Sequence, residues 1–203
     1  MPTPVPCIAF SGAPCTGKTT SITAIKRVFG DAVCCIPEAA TFVIGQAGFL
    51  PPSSIEENRL YVRAMSHARM ALEDMAQTHA RSSGAQFIVA DRAVLDAAPY
   101  LPGGRDELAE LLETTVQELF QRYATVLFFE PPTKEIFDAG RAANPARSDT
   151  YEGIQRLTEQ TRAAWTGHPS FQKIPATAIW NDKYALVESI IRDNLNKKEA
   201  GPA

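Results

Sequence analysis

An α/β fold, a five-stranded parallel sheet with helices on both faces, is what this sequence predicts. Three observations carry the prediction. Short apolar runs of strand length alternate with longer segments whose apolar residues recur at helical spacing. The first of these runs passes directly into a glycine-rich turn and then a helix, which sets an anion-binding turn at the carboxyl edge of a sheet. The 203 residues are 45% hydrophobic and 21% charged, enough apolar material for the core of one domain spanning 1–203.

The elements follow in order. Cys7 to Phe10 reads as a buried strand after a Pro-rich leader, and Ile22, Ile25, Val28 and Phe29 give a helix that Gly30 stops. Residues 32–40 read as a second strand that ends near Pro37 and presents Glu38 at its carboxyl end. Residues 41–54, with Gly45, Gly48, Pro51 and Pro52, read as a loop or broken helix. From Ile55 to about Ala80, Leu60, Tyr61, Ala64, Met65, Ala68, Leu72 and Met75 mark the apolar face of a long helix. A third strand is expected over 86–91, a helix over 105–122 and a fourth strand over 124–130, closed by Pro131 and Pro132. A helix starts at Lys134, a polar stretch over 138–150 suits a small lid, and a further helix runs from Tyr151 to Trp165. The fifth strand is expected at 176–180, the last helix at 182–196, and a frayed tail at 197–203. Such alternation implies strands that are all parallel.

Composition excludes several classes. The chain is neither collagenous, coiled-coil nor wholly disordered. Twenty basic against 23 acidic side chains give a net charge of −3, which argues against general nucleic-acid binding. The N-terminus has no basic segment followed by a long apolar one, and no apolar run approaches about 18 residues, so the chain is expected to be cytoplasmic and not membrane-inserted. Cysteines 7, 15, 34 and 35 form no CxxC pair and are expected to be reduced, with Cys34 and Cys35 on opposite faces of their strand. A homodimer stays open.

The chemistry is written at residues 12–20. Gly12, Ala13, Pro14, Cys15, Thr16, Gly17, Lys18 and Thr19 match GxxxxGK[ST], the P-loop pattern, with Thr20 next in the helix. Glycines let successive N–H groups turn toward phosphate oxygens, Lys18 would reach the β- and γ-phosphates of a bound nucleotide, and the Thr19 hydroxyl would ligate Mg²⁺. Cys15 reads as incidental. Asp91 ends the third strand, where a carboxylate can hold Mg²⁺, although a helix-capping role would also suit it. Arg92 follows where a water-activating carboxylate would stand in a hydrolase, which favours phosphoryl transfer; the alternative is a surface ion pair. Glu38 reads either as the base that orients an acceptor hydroxyl or as a solvated loop glutamate. Arg141 and Arg147 are candidates to neutralise the transferring group from the lid, or belong to a solvated connection. Asn181 is a candidate for reading the base, and Tyr61, Arg63, His67 and Arg69 for lining an acceptor pocket.

Taken together, GAPCTGKTT, IPEAA, VADRAVLDAAPY, FDAGR and Arg147 form an ordered series over nearly the whole chain. In that series the chain resembles the AAA-type, P-loop kinase-like ATP-binding family that includes the nicotinamide riboside kinase domain of bacterial NAD-biosynthesis regulators. It is also similar in plan to deoxynucleoside kinases. The resemblance implies a P-loop NTPase fold, ATP and Mg²⁺, and transfer of the γ-phosphoryl group to a small-molecule hydroxyl. It puts Glu38 at the base position, Asp91 and Arg92 at the acidic-Arg pair, Arg141 and Arg147 in the lid, and Asp96 either on the acceptor side or in a capping or salt-bridge role. A nucleotide-dependent regulatory protein, or an NTP hydrolase without an acceptor, is the other reading.

Overall fold

The structure, a computed structural model, describes residues 3–14, 16–39, 52–143, 150–177 and 179–199, with backbone alone at 139–143 and 197–199. The elements are β1 (Cys7–Ser11), α1 (Lys18–Phe29), β2 (Val33–Ile36), α2 (Ile55–Ser83), β3 (Phe87–Asp91), α3 (Gly104–Leu111), α4 (Val116–Gln121), β4 (Thr125–Phe129), α5 (Lys134–Ala143), α6 (Tyr151–Ala164), β5 (Phe171–Ile174) and α7 (Trp180–Glu199). A 3₁₀ segment, Val94–Tyr100, follows β3. The strands form one parallel sheet in the order β2-β3-β1-β4-β5, as the α/β reading expects.

Every residue of β1, β3 and β4 is buried, because helices cover both faces. Along β1 the side chains alternate. Ile8 and Phe10 pack with Ile25 of α1 and Val187 and Ile191 of α7. Cys7 and Ala9 pack with Val62, Ala76 and Ala80 of α2, Leu119 of α4 and Trp165 at the end of α6. Cys34 and Cys35 do separate, each packing against a different one of these two clusters. No described helix is long and apolar enough to cross a membrane.

Three expectations are corrected. The fifth strand lies at Phe171–Ile174 instead of 176–180, and Trp180 already begins α7. Its sequence FQKI carries two polar residues because an edge strand buries only part of its surface, so a search for apolar runs passes over it; Pro175 then ends the ladder. The helix expected over 105–122 is two helices. Glu113 takes a left-handed φ of 55°, and Thr115 and Glu118 form a reciprocal capping box that starts α4.

The third correction concerns α2. Leu60 and Met75 of the expected apolar face are 62% and 69% exposed, whereas Val62, Ser66, Arg69, Glu73, Ala76 and Ala80 are buried. The helix turns a buried ion pair inward. Arg69 Nε donates to Glu73 Oε1 at 2.9 Å, while Arg69 Nη1 donates to the carbonyls of Pro37 and Asp91, each at 3.0 Å. Glu73 also accepts from Arg122 Nε at 2.7 Å and from the Tyr123 hydroxyl at 2.6 Å, and that hydroxyl accepts from the Val94 N–H at 2.8 Å. One guanidinium therefore joins the carboxyl ends of β2 and β3, where Glu38 and Arg92 begin.

Removing one partner of such a pair strands the other charges in a dry environment. Arg69→Met is expected to lower the unfolding free energy by about 3 kcal/mol or more, read from urea denaturation.

Candidate active site

The loop after β1 is shaped by two glycines that no other residue replaces. Gly12 has φ 120°, and a Cβ there would lie 2.5 Å from the Phe129 carbonyl oxygen, so only glycine lets the chain cross the end of β4. Gly17 has φ 94° and precedes α1 without a capping side chain. The first N–H groups of α1 are thus left to the loop, the arrangement that suits phosphate.

Lys18 is 5% exposed, and its ammonium donates to the carbonyls of Gly12 at 3.0 Å and Ala13 at 2.6 Å and to the Thr16 hydroxyl at 3.3 Å. Burial, followed by the nearby Arg92 charge, pulls its pKa down to about 8. These neutral oxygens are weak partners for a buried cation, and phosphate oxygens would satisfy it better.

Parallel pairing places Phe10 of β1 opposite Asp91 of β3, so Asp91 stands beside the loop. The Thr19 hydroxyl donates to Asp91 Oδ2 at 2.7 Å. A hydroxyl and a carboxylate meeting at the phosphate loop are hard oxygen donors, and they fit Mg²⁺.

Immediately after Asp91 the chain turns sharply. Arg92 has φ 66°, a conformation that costs a non-glycine residue about 1 kcal/mol or more, and its N–H is held by the Phe10 carbonyl at 3.0 Å. Its side chain donates through Nε to Glu38 in a short ion pair and through Nη1 to the Gly12 carbonyl at 3.2 Å. Glu38, two residues beyond β2, thus reaches the phosphate loop. Thr16, Lys18, Thr19, Thr20, Glu38, Asp91 and Arg92 line a common cleft of about 340 Å³, together with Pro14 and Gly17.

Behind the cleft, Asp96 is buried in the 3₁₀ segment. Its Oδ1 accepts from Ser11 Oγ at 2.5 Å and from Trp165 Nε1 at 3.0 Å, and Oδ2 is buried with no hydrogen-bond partner. Burial pushes the Asp96 pKa up, against the pull of Arg92 and of these two bonds. Asp96 therefore stands behind the phosphate loop, held by Ser11 at the end of β1 and by the residue after α6.

Other expected residues lie apart or outside the description. Ala13 is fully buried beneath Phe137 of α5 and Ile154 of α6. Cys15 and Arg147 fall outside the described residues, and of Arg141 only the backbone, within α5, is described. Asn181 sits exposed in the first turn of α7, next to Trp180, whose ring lies 3.7 Å from the position of a Cβ at Gly17. Arg63 is exposed and pairs with Glu113 at 3.4 Å, His67 is exposed, and Arg69 is a buried clamp, not a pocket residue. The clamp, and the Ser11–Trp165 link to Asp96, were not legible in the sequence, since nothing in their local spacing announces a partner far along the chain.

Compared with known families, residues 7–182 match a family model described as an AAA domain. A search of curated proteins finds no match.

The Lys18 shift has a sign that can be read. With the folded pKa near 8 and the unfolded value near 10.5, the unfolded chain holds the proton to higher pH, so folding is penalised below pH 8 and the penalty is lifted as pH rises from 8 to 10.5. Relative to Lys18→Met, the wild-type protein is expected to gain up to about 3 kcal/mol of stability over that window, read from urea denaturation at each pH.

Proposed function

The chain belongs to the AAA-domain family of P-loop proteins, a nucleotide-binding fold, and from that premise we propose an ATP- and Mg²⁺-dependent small-molecule kinase. It transfers the γ-phosphoryl group to a hydroxyl of a nucleoside-like or other small metabolite, in line with the resemblance to nicotinamide riboside kinase domains and deoxynucleoside kinases. The observation that carries this reading is the meeting of Glu38 and Arg92 at the mouth of the cleft that Lys18, Thr19 and Asp91 share. A carboxylate and a guanidinium there suit an acceptor hydroxyl and a charged phosphoryl group side by side.

In this reading the loop N–H groups and Lys18 bind the β- and γ-phosphates, and Arg92, already at the Gly12 carbonyl, turns toward the γ-phosphate. Thr19 and Asp91 would hold Mg²⁺, which supplies neutralising charge to the phosphate oxygens. The acceptor hydroxyl oxygen forms a bond to the γ-phosphorus while the bond to the β,γ-bridging oxygen breaks, and ADP leaves. The hydroxyl proton passes to Glu38. Because the transition state is loose, Glu38 acts chiefly by orienting the hydroxyl, a task that an arginine-paired carboxylate can perform. Arg141 and Arg147 remain candidates to add positive charge from the 138–150 segment, and Asn181 to read the base.

The contact between Glu38 and Arg92 also favours a second reading. A carboxylate engaged by arginine suits a nucleotide-dependent binding protein or switch, in which nucleotide arrival would part the pair.

One panel separates the two. ATP consumption is measured with nucleosides, nucleotides, amino sugars and antibiotics as acceptors. A kinase is expected to accelerate sharply with one member, and Glu38→Gln to lower that turnover about 10²–10⁴-fold with ATP affinity retained. Lys18→Ala is expected to lose affinity and activity together. Unstimulated turnover across the panel rejects the kinase, and nucleotide binding that survives Lys18→Ala rejects the loop assignment.

A further inference from the structure

A second cation stands at the phosphate loop, on the side away from Glu38. Lys183, in the first turn of α7, donates from Nζ to the Thr16 carbonyl at 3.1 Å, and its Nζ lies 3.9 Å from the position of a Cβ at Gly17. Thr16 is therefore held from two directions, by Lys18 at its hydroxyl and Lys183 at its carbonyl. Lys183 is half-buried, and among the described residues no carboxylate lies within ion-pair distance of it. Burial alone pulls its pKa down, with no opposing acid. A partly desolvated ammonium whose partner is a neutral carbonyl retains most of its attraction for an anion.

The sheet order decides which anion. β1 is central, with β3 and β2 on one side and β4 and β5 on the other. Glu38, Asp91 and Arg92 come from the β2–β3 side, so the reacting end of a nucleotide points there. Lys183 follows β5, so it approaches the loop from the opposite flank, near the start of α1. Lys18 meets Thr16 at its hydroxyl and Lys183 meets it at its carbonyl, so a polyphosphate chain lying along the loop can meet Lys18 with one end and Lys183 with the other.

We propose that Lys183 is a second phosphate-binding residue of this site, engaging the base-proximal phosphate of a nucleoside di- or triphosphate. The inference rests on the P-loop reading above and adds a specificity to it. Lys183 selects for a phosphate next to the nucleoside, independently of which acceptor is phosphorylated. Trp180, whose ring covers Gly17 one turn earlier, lies where it would sense that occupancy.

The test is titration of ADP, ATP and inorganic triphosphate into the full chain, followed by calorimetry or Trp180 emission, at two salt concentrations. Lys183→Gln keeps an N–H for the Thr16 carbonyl but has no charge; Lys183→Arg keeps the charge. Lys183→Gln is expected to weaken ADP and ATP about tenfold and to flatten the salt dependence of their affinities, with Lys183→Arg restoring both. A Lys183→Gln protein that binds ADP within twofold of wild type, with unchanged salt dependence, overturns the proposal and leaves Lys183 as a tie between α7 and the loop. Equal losses in Lys183→Gln and Lys183→Arg also overturn it, because charge is then not what matters. Either failure is distinguishable from failure of the P-loop reading, which Lys18→Ala tests by itself.

Discussion

The ammonium groups at the phosphate loop, Lys18 buried and Lys183 half-buried, are held by main-chain carbonyls, and the rest of the site depends on that constraint. Lys18 has the carbonyls of Gly12 and Ala13, and Lys183 has that of Thr16. No carboxylate forms an ion pair with either among the described residues. A carbonyl compensates a desolvated cation only in part, so both positions remain attractive to an anion, while an acidic partner would have neutralised them. The tight path of the loop makes this possible, because Gly12 at φ 120° lets the chain pass within contact of the Phe129 carbonyl and turn its own carbonyl toward Lys18. Acidic groups are kept one step away, where they can serve a metal ion and an acceptor instead of cancelling the loop.

That separation of roles follows from the strand order. With β3 directly beside β1, the described charged residues on this flank of the loop come from the ends of β3 and β2. β3 supplies Asp91 and then Arg92, and β2 supplies Glu38. A hydrolase needs a carboxylate free to take a proton from water, yet the residue following Asp91 is a guanidinium, and the nearby Glu38 is bonded to it. Asp96, the remaining described carboxylate of this cluster, is buried with its Oδ1 committed to Ser11 and Trp165. In the kinase proposed above, a Glu38 held by Arg92 would serve chiefly to orient the hydroxyl.

The sequence made the loop legible because its chemistry is local. GxxxxGK[ST] between a strand and a helix carries spacing, backbone demand and function in one stretch of residues. Asp91 and Glu38 were legible for a related reason, since the carboxyl edge of a parallel sheet is where the loop lies, although such a position alone is not enough: Glu130, at the end of β4, pairs with Arg162 instead. What escaped was non-local or masked by burial. Arg69 reads in the sequence as a candidate to line an acceptor pocket, but its partners are Glu73, one turn on, and the carbonyls of Pro37 and Asp91, at the carboxyl ends of β2 and β3. That buried ion pair displaced the apolar face assigned to α2, because a helix can turn charge inward when the charges are paired. β5 escaped because an edge strand needs few apolar residues. The capping box of α4, by contrast, was written in Thr115 and Glu118 and was hidden only by the apolar periodicity running through it.

Helix α6 joins these features mechanically. At its first turns Ile154 packs on Ala13 within the loop, and just beyond its end Trp165 donates to Ser11 at 2.9 Å and to Asp96 at 3.0 Å. Ser11 immediately precedes Gly12, so both ends of α6 are fastened to the segment that cradles phosphate. Trp165 is also stacked near Phe120 and set edge-on to Tyr123, which ties it to the network of Glu73 and Arg69. A rod anchored at two points along one loop moves with that loop. The same anchoring explains why a buried aspartate with one unsatisfied oxygen is tolerated at position 96. Its other oxygen fixes the indole and the hydroxyl that hold the loop in register, and the neighbouring Arg92 offsets part of the cost of burying the charge.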